Sequence, residues 1–460
     1  VKKQEDFFLG SRVFGKLFQS FAAFGAGTGS QDPVAVGKTT FTSGLSGIWS
    51  VLLWLFVTPF YWFTAVWYRR MRHITMGDWF AERYQSKALG AAYMIFSLFF
   101  YAFWLGVGFA AIGKVGAPLL ANEPFVVNDH IQMLGLSLPV AETLVCICAG
   151  IVLIYAVMGG LRAAYWTDVI QGLFIILLSV LLIPMGLRAL ADEEAELTNV
   201  DPSTISTMDG FRIMHERVPE EYFQIIGSPR SSDFPIYYIL AITILNLVAI
   251  VVHPHMAVTG GGSARTENSA RVGLVTGNFL KRFCTIGWAI TILIVLAYMA
   301  GNTEIAEDPD RTWGIAAREI LGPYNLGLVG LMLACLMAAL MSSASAYMLV
   351  VSGLVVRNFW APFINPDASE RTYVLLGRVF SAMVIVGGVA ASLAKMDVFG
   401  LLKEAWAVPI VFASVFWVGM FWRRATKWAA WGTVLFSVLT FYALPGVLPI
   451  VMPDLREDPK

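Results

Sequence analysis

The sequence predicts an all-α, polytopic membrane bundle: an inverted repeat of two five-helix units followed by one extra C-terminal helix. Three observations predict it. Of the 460 residues, 57% are hydrophobic and only 14% are charged, against about 25% charged in soluble domains. Apolar stretches of about 20 residues, the length that crosses a bilayer, recur along the whole chain. Lys and Arg gather in alternate connecting loops, which sets an orientation. This composition argues against a large soluble enzyme. A formal net charge of zero gives no reason to expect nucleic acid as a partner. The four cysteines, Cys146, Cys148, Cys284 and Cys335, lie in apolar stretches without CxxC or Cys/His metal spacing and read as packing residues. The opening VKKQEDFFLGSRVFGK lacks the apolar core of a signal peptide.

Eleven candidate spans lie near 17–44, 46–69, 88–117, 142–159, 167–190, 235–258, 276–300, 323–355, 373–394, 402–422 and 428–452. Basic loops fall on one side: YRRMRH after the second span, GGLRAAYW before the fifth, WRRATK after the tenth and Arg357 after the eighth. Arg265 and Arg271, with Lys281 and Arg282 just beyond, mark the sixth-to-seventh loop on that same side. Acidic residues collect opposite, in ADEEAELTNVD, VPEEYF and EIAEDPD. The basic side is expected to be cytoplasmic in a cell membrane. The chain then divides into a cytoplasmic segment 1–16, a first unit 17–190, an extracytoplasmic loop 191–234, a second unit 235–422, and a C-terminal helix and tail 428–460. The two five-helix units start on opposite sides, which is the arrangement of an inverted repeat.

The first helix of each unit is interrupted. GAGTGSQDPVAVG breaks span one and VVHPHMAVTGGG breaks span six. Glycine- or proline-broken helices at corresponding positions point to a midplane binding site, because unwound backbone survives at membrane depth only where it lines a cavity or is buried in protein.

The run LMAALMSSASAYMLVVS has two readings. Its small residues suit a helix–helix seam. Alternatively, the hydroxyls of Ser342 and Ser343 are hard, neutral oxygen donors. With carbonyls freed at the first break, they can replace the hydration shell of Na⁺. Asp168, in GGLRAAYWTDVIQG, reads either as a helix N-cap favoured by the dipole or as an acid on an ion pathway.

These stretches together resemble the sodium:solute symporter family. GGLRAAYWTDVIQG matches the family's WTD signature, AALMSSASAYMLVVSGLVVRN its eighth core helix, and DFFLGSR and SGLSGIW the segments around the first broken helix. The resemblance covers almost the whole chain and implies the five-plus-five, leucine-transporter-like fold. It implies a sodium site made by the carbonyl of Ala339, the hydroxyls of Ser342 and Ser343, and first-helix carbonyls that an ungapped match on SGLSGIW places at Gly25 and Thr28. Asp168 matches the acid near the sodium exit. The family carries a further helix before DFFLG, and this chain begins at Val1, so a trimmed or shortened end is expected there.

Departures from the family also inform. Ala249 stands where the family's sugar transporters have a gating tyrosine, which argues against a sugar. His253-Pro254-His255 resembles the Pro-His pair of proline- and carboxylate-type members. Each histidine serves either as a donor to a substrate carboxylate or as a partner to a freed carbonyl. Gln31 and Asp32 fall where the family places polar groups facing the solute. Asp32 is expected either to pair with Lys38 or to share with it the two ends of a zwitterion. Trp406, on family position, is expected at an outer gate. The aromatic run Phe99, Phe100, Tyr101, Phe103 and Trp104 reads as packing rather than ligand lining.

The expected function is Na⁺-coupled import of a small organic solute, a carboxylate or an amino acid foremost, by alternating access. Its partners are the solute, Na⁺ and the lipid bilayer. Two alternatives stay open: a proton-coupled carrier on the same fold, using Asp32 or a histidine, and a solute-sensing membrane domain. The sequence has no nucleophile–base pair, HExxH or P-loop, so an enzyme is not expected.

Overall fold

A computed structural model describes residues 9–133, 136–158, 161–227, 233–324, 327–395, 397–445 and 447. Parts of the expected N-terminal segment, of the GG before the fifth span, and of the last span and its tail lie outside the described residues. Among those described, seven segments are long and apolar enough to cross a bilayer: Gln31–Met71, Lys87–Leu120, Ala164–Thr198, Glu267–Met299, Leu328–Phe363, Glu370–Ala394 and Val398–Phe421. Two shorter apolar helices, Val140–Ile154 and Ile236–Val252, join them. Fewer segments than eleven pass this length test among the described residues, because broken spans are not single long helices, the helix at Val140–Ile154 is short, and part of the last span lies outside the described residues.

Helix α1 (Lys16–Gly27) leaves helical geometry at Thr28, and the chain resumes as α2 (Gln31–Ser43). Gly44, at φ +65°, ends α2 in a conformation that L side chains rarely adopt. The chain then folds back along α2, where Thr39 Oγ1 donates to Gly47 O at 2.7 Å and lies 3.0 Å from Ser50 Oγ. A Cβ on Gly47 would sit 2.1 Å from Thr39 O, so SGLSGIW is the tight return between the first two spans. Short 3₁₀ turns lead to α3 (Tyr61–Met71). Next comes α4 (Met76–Arg83), whose N-cap Thr75 accepts from the Asp78 amide in a capping box. The 34-residue α5 (Lys87–Leu120) follows.

A three-stranded antiparallel sheet interrupts the helices, which the all-α expectation did not include. Strands β1 (Val126–Val127), β2 (His130–Met133) and β3 (Leu136–Pro139) pair in the order β1-β2-β3, with Val127 opposite His130 and Ile131 opposite Leu138. Then come α6 (Val140–Met158), α7 (Leu161–Val180), α8 (Leu182–Thr198) and α9 (Asp209–Arg217). The acidic stretch at 191–198 is thus helical. Arg217 holds Glu193 at 2.5 Å and Glu194 at 2.8 Å, while Leu187, Ile213 and Leu293 form a small core beneath.

The second unit comprises α10 (Ile236–Ala249), α11 (Glu267–Met299), α12 (Thr312–Leu321), α13 (Leu328–Val355), α14 (Glu370–Ala394), α15 (Val398–Ala407) and α16 (Ile410–Phe421), with α17 (Lys427–Val438) after it. Helix α13 packs on α7, α14, α5 and α1, and α11 lies along α1. Both packings place polar side chains beside the first break.

At the second break α10 passes into a 3₁₀ turn, His253 is extended, and a further 3₁₀ turn runs Pro254–Ala257. Pro254 has no N–H and disfavours helical geometry in the residue before it. The carbonyls this frees are met from other helices. Tyr68 OH donates to Val251 O at 3.0 Å and Tyr93 OH to Val252 O at 2.7 Å. An unpaired buried acceptor costs about 1–3 kcal/mol. Tyr93→Phe should therefore lower stability by about that amount, read as a lower thermal unfolding temperature in detergent. An unchanged temperature would mean that another donor reaches Val252.

Candidate functional site

The break between α1 and α2 exposes the last carbonyls of one half-helix and the first amides of the other. Three side chains from two helices meet the carbonyls. Ser343 Oγ donates to Gly25 O at 3.0 Å, Tyr347 OH to Ala26 O at 2.8 Å, and Lys281 Nζ to Gly27 O. On the other side of the break, Asp32 Oδ2 accepts from Gly29 N at 2.9 Å and from Lys281 Nζ at 2.9 Å. An acid in the first turn of α2 also meets the positive end of that helix dipole. Ser30 Oγ ties the break to α5 through Gly108 O at 2.9 Å.

Ser342 and Ser343 face the break. Ser342 Oγ donates to Asp168 Oδ1 at 2.6 Å. A Cβ on Gly25 would lie 2.0 Å from Ser342 Oγ and 3.5 Å from Asp168 Oδ1, so only glycine lets α1 approach this closely. Thr28 is fully buried, its amide bonds back to Gly25 O at 3.3 Å, and its hydroxyl has no partner among the described residues. Ala339 is buried on α13, one turn before Ser343. Gly25, Thr28, Ser342, Ser343 and Asp168 thus gather hydroxyl, carbonyl and carboxylate oxygens, a donor set suited to a hard cation. Asp168 does not cap its helix. It lies about two turns inside α7, buried, with its carboxylate aimed at α13.

One turn along α13 from this cluster, and beside the same turn of α1, is a small cavity of about 50 Å³. Asp32, Tyr347, His253, His255, Trp406, Lys281 and Arg282 are among its walls. Tyr101 and Tyr347 stack with centroids 4.6 Å apart, and Tyr101 OH lies 3.4 Å from His255 Nδ1. His253 packs edge-on against Phe100. The Trp406 indole N–H is buried with no partner among the described residues. The aromatic run splits: Phe99 points outward at 61% exposure, while Phe100 and Tyr101 are buried against the histidines.

Three expectations need correction. Asp32 does not pair with Lys38: it holds Lys281. Lys38 lies further along α2 and bridges Asp310 at 3.2 Å and Asp397 at 2.9 Å. Gln31 does not wall the cavity, since its side chain folds over Gly29 toward Gly108. Lys281 and Arg282 do not mark the membrane face just beyond the loop: they lie mid-helix on α11, 5% and 4% exposed. Sequence reasoning counted them as orientation signals. The cue it passed over was their distance from any turn signal, with apolar residues continuing on both sides.

Both ends of the broken helix are tied to other segments. Before α1, Arg12 donates to Gly262 O at 2.9 Å and Arg72 O at 3.0 Å, and Arg265 N donates to Phe14 O at 2.9 Å. Beyond the break, the Lys38 bridges join α2 to the 309–311 turn and to the N-cap of α15.

Residues 7–435 match the family profile described as the sodium:solute symporter family. The chain is 24% identical over 459 residues to the high-affinity proline transporter PutP of Bacillus subtilis strain 168, covering 95% of this chain and 85% of that one. It is 25% identical over 442 residues to the sodium/myo-inositol cotransporter 2 of Oryctolagus cuniculus, covering 91% of this chain and 60% of the other. Its fold is similar to that of a Na⁺-coupled sialic acid symporter in a substrate-bound, outward-open state. The TM-score is 0.71 at 16% identity, over 95% of this chain and 86% of the other.

The Lys38 bridge weakens as pH falls. Burial, its largest influence, holds Asp310 above the usual carboxylate range despite Lys38 and the Val398 amide. Burial acts on Asp397 too, but the bonds from Lys38 and Gly400 N outweigh it and hold that carboxyl low. As pH falls, Asp310 therefore takes a proton first and its hold on Lys38 weakens. In a variant freed of native cysteines, maleimide labelling of Leu402→Cys, divided at each pH by the rate of a fully exposed cysteine to cancel the loss of thiolate, should be several-fold faster at pH 5 than at pH 7.5. Adding Asp310→Asn should make labelling fast at both pH values. Equal slow labelling throughout would show that the bridge does not guard the cavity.

Proposed function

The chain belongs to the sodium:solute symporter family, and from that premise we propose how it couples a sodium gradient to solute entry. It is a Na⁺-coupled, multi-pass membrane transporter. The coupling ion binds between α1 and α13, held by the carbonyl of Gly25, the hydroxyls of Ser342 and Ser343, and the backbone or hydroxyl of Thr28. Ala339 contributes its carbonyl and Asp168 its charge. The observation that carries this reading is the contact of Ser343 with Gly25 O beside the Ser342–Asp168 bond.

The two serine hydroxyls donate to Gly25 O and Asp168. An arriving cation competes for those same oxygen lone pairs, so both hydroxyl protons turn away as it binds. The ion then takes over the task of joining α1 to α13. Ala26 and Gly27, on the same turn of α1, line the cavity, as does Tyr347, one turn beyond Ser343. Seating the ion therefore orders the walls that receive the solute. The coupling is reciprocal: solute tightens Na⁺ by the factor by which Na⁺ tightens solute. The two five-helix units rock around this midplane site, opening first the Lys38 tie and then the Arg12 tie. The N-terminal side faces the cytoplasm in this reading, which the basic loops support. The solute is a small carboxylate or amino acid, consistent with Ala249 in place of a gating tyrosine and with the two cavity histidines.

Uptake into proteoliposomes should require an inward Na⁺ gradient. Ser342→Ala with Ser343→Ala should abolish that dependence, and unchanged Na⁺ stimulation would refute the site. Asp168→Asn should raise the Na⁺ needed for half-maximal uptake by about tenfold or more, the equivalent of about 1.4 kcal/mol. A pH gradient that drives wild-type uptake without Na⁺ would favour proton coupling instead.

A further inference from the structure

We propose that Lys281 and Arg282 form the binding site for a carboxylate on the transported solute, and that the solute is a small monocarboxylate carried with one Na⁺. This rests on the reading of the central cavity as the solute site.

The two cations are adjacent on α11, about 20 Å from its N-terminal end at 1.5 Å per residue. They sit deep in the bundle, where a charged side chain costs about 2.5–3.5 kcal/mol on insertion scales. Such groups are retained for a task or for a partner. Lys281 has its partners in Asp32 and Gly27 O. Arg282 has no carboxylate partner among the described residues: its NH1 donates to Val51 O at 2.7 Å and its Nε to Asn278 O at 3.2 Å. Two carbonyls leave the guanidinium's positive charge unbalanced, while its planar fork suits a carboxylate. The Trp406 indole N–H, buried and unpartnered, faces the same cavity. The walls thus offer surplus donors and one surplus positive charge, because the only carboxylate among them, Asp32, is already claimed. A carboxylate accepts hydrogen bonds and carries one negative charge. A sugar carries none, and the ammonium of a zwitterion would add a further positive charge to walls that already hold Lys281 and Arg282.

Charge balance over the cycle leads to the same solute. Among the described residues, the charged side chains buried at the bundle centre are Asp32, Asp168, Lys281 and Arg282. In their ionised forms they cancel. Na⁺ beside Asp168 adds one positive charge, and a monocarboxylate at Arg282 cancels it again. The empty and the fully loaded carriers are then both neutral at the centre, and the half-loaded ones are not. An uncompensated charge in a low-dielectric interior is costly, so only the empty and the fully loaded forms reorient readily. That enforces coupling and makes transport electroneutral.

The test uses the full chain in detergent, with and without NaCl. Its thermal unfolding is followed against acetate, propionate, pyruvate, L-lactate and benzoate, with L-proline and myo-inositol as zwitterionic and neutral probes. Ligands that bind the folded state raise its unfolding temperature. At least one monocarboxylate should raise it in NaCl, while proline and myo-inositol should not. Arg282→Gln should abolish the carboxylate shift and keep the shift caused by NaCl alone, and Arg282→Lys should restore part of it. In proteoliposomes, uptake of the active carboxylate should not change when valinomycin and K⁺ set an inside-negative potential. The proposal falls if proline or myo-inositol gives the shift, if Arg282→Gln keeps the carboxylate shift, if no monocarboxylate acts, or if the potential drives uptake. If the carboxylate shift depends on Arg282 but not on Na⁺, the sodium site fails and this site stands.

Discussion

The arrangement depends on one constraint: a helix broken inside an apolar medium must still satisfy every backbone group it frees. Water is not there to do it. In the first break, three consecutive carbonyls are met by a serine, a tyrosine and a lysine, and the amide across the gap is met by Asp32. In the second break two consecutive carbonyls are met by two tyrosines. The helices that supply these donors are fixed in position by the need to supply them. The bundle is organised around its two interruptions rather than around its longest helices.

This organisation explains how an ion and a solute can act on each other. Ser343 and Tyr347 are four residues apart on α13, and their partners Gly25 and Ala26 are neighbours on α1. A change at one contact is carried to the other through a single turn of each helix. Lys281 binds the third carbonyl of the same row and also the acid that opens α2. The ammonium therefore joins both halves of the broken helix and forms part of the cavity wall. Few groups need to move for the two sites to sense one another.

Much of the site was legible in the sequence because its cues are local. Glycine-rich and proline-broken stretches announce where a helix cannot continue, and Ser342-Ser343 within a long apolar run marks hydroxyls at membrane depth. The WTD stretch pointed to Asp168. What misled was partner choice. Asp32 and Lys38 are six residues apart and share a helix, which made them look like a pair. In the folded chain Asp32 is held by Lys281 at a separation of 249 residues, and Lys38 by Asp310 and Asp397 at separations of 272 and 359. Lys281 and Arg282, just beyond the sixth-to-seventh loop, count in the sequence as orientation charges because the positive-inside pattern expects Lys and Arg near span ends. The small sheet after α5 was missed because its strands are two to four residues long, too short for a period-2 pattern to register.

The amino-acid sequence by itself determined the class of molecule, its apolar spans, the positions of the two breaks and the family. Each of these rests on composition, on runs of one character or on residues adjacent in the chain. Only the tertiary structure decided which carboxylate faces which cation, which tyrosines stop which carbonyls, and which charges line the cavity. Those choices are made between residues hundreds of positions apart. They follow from how α1, α11 and α13 pack, and in a medium without water that packing leaves each freed polar group only the partners the neighbouring helices present.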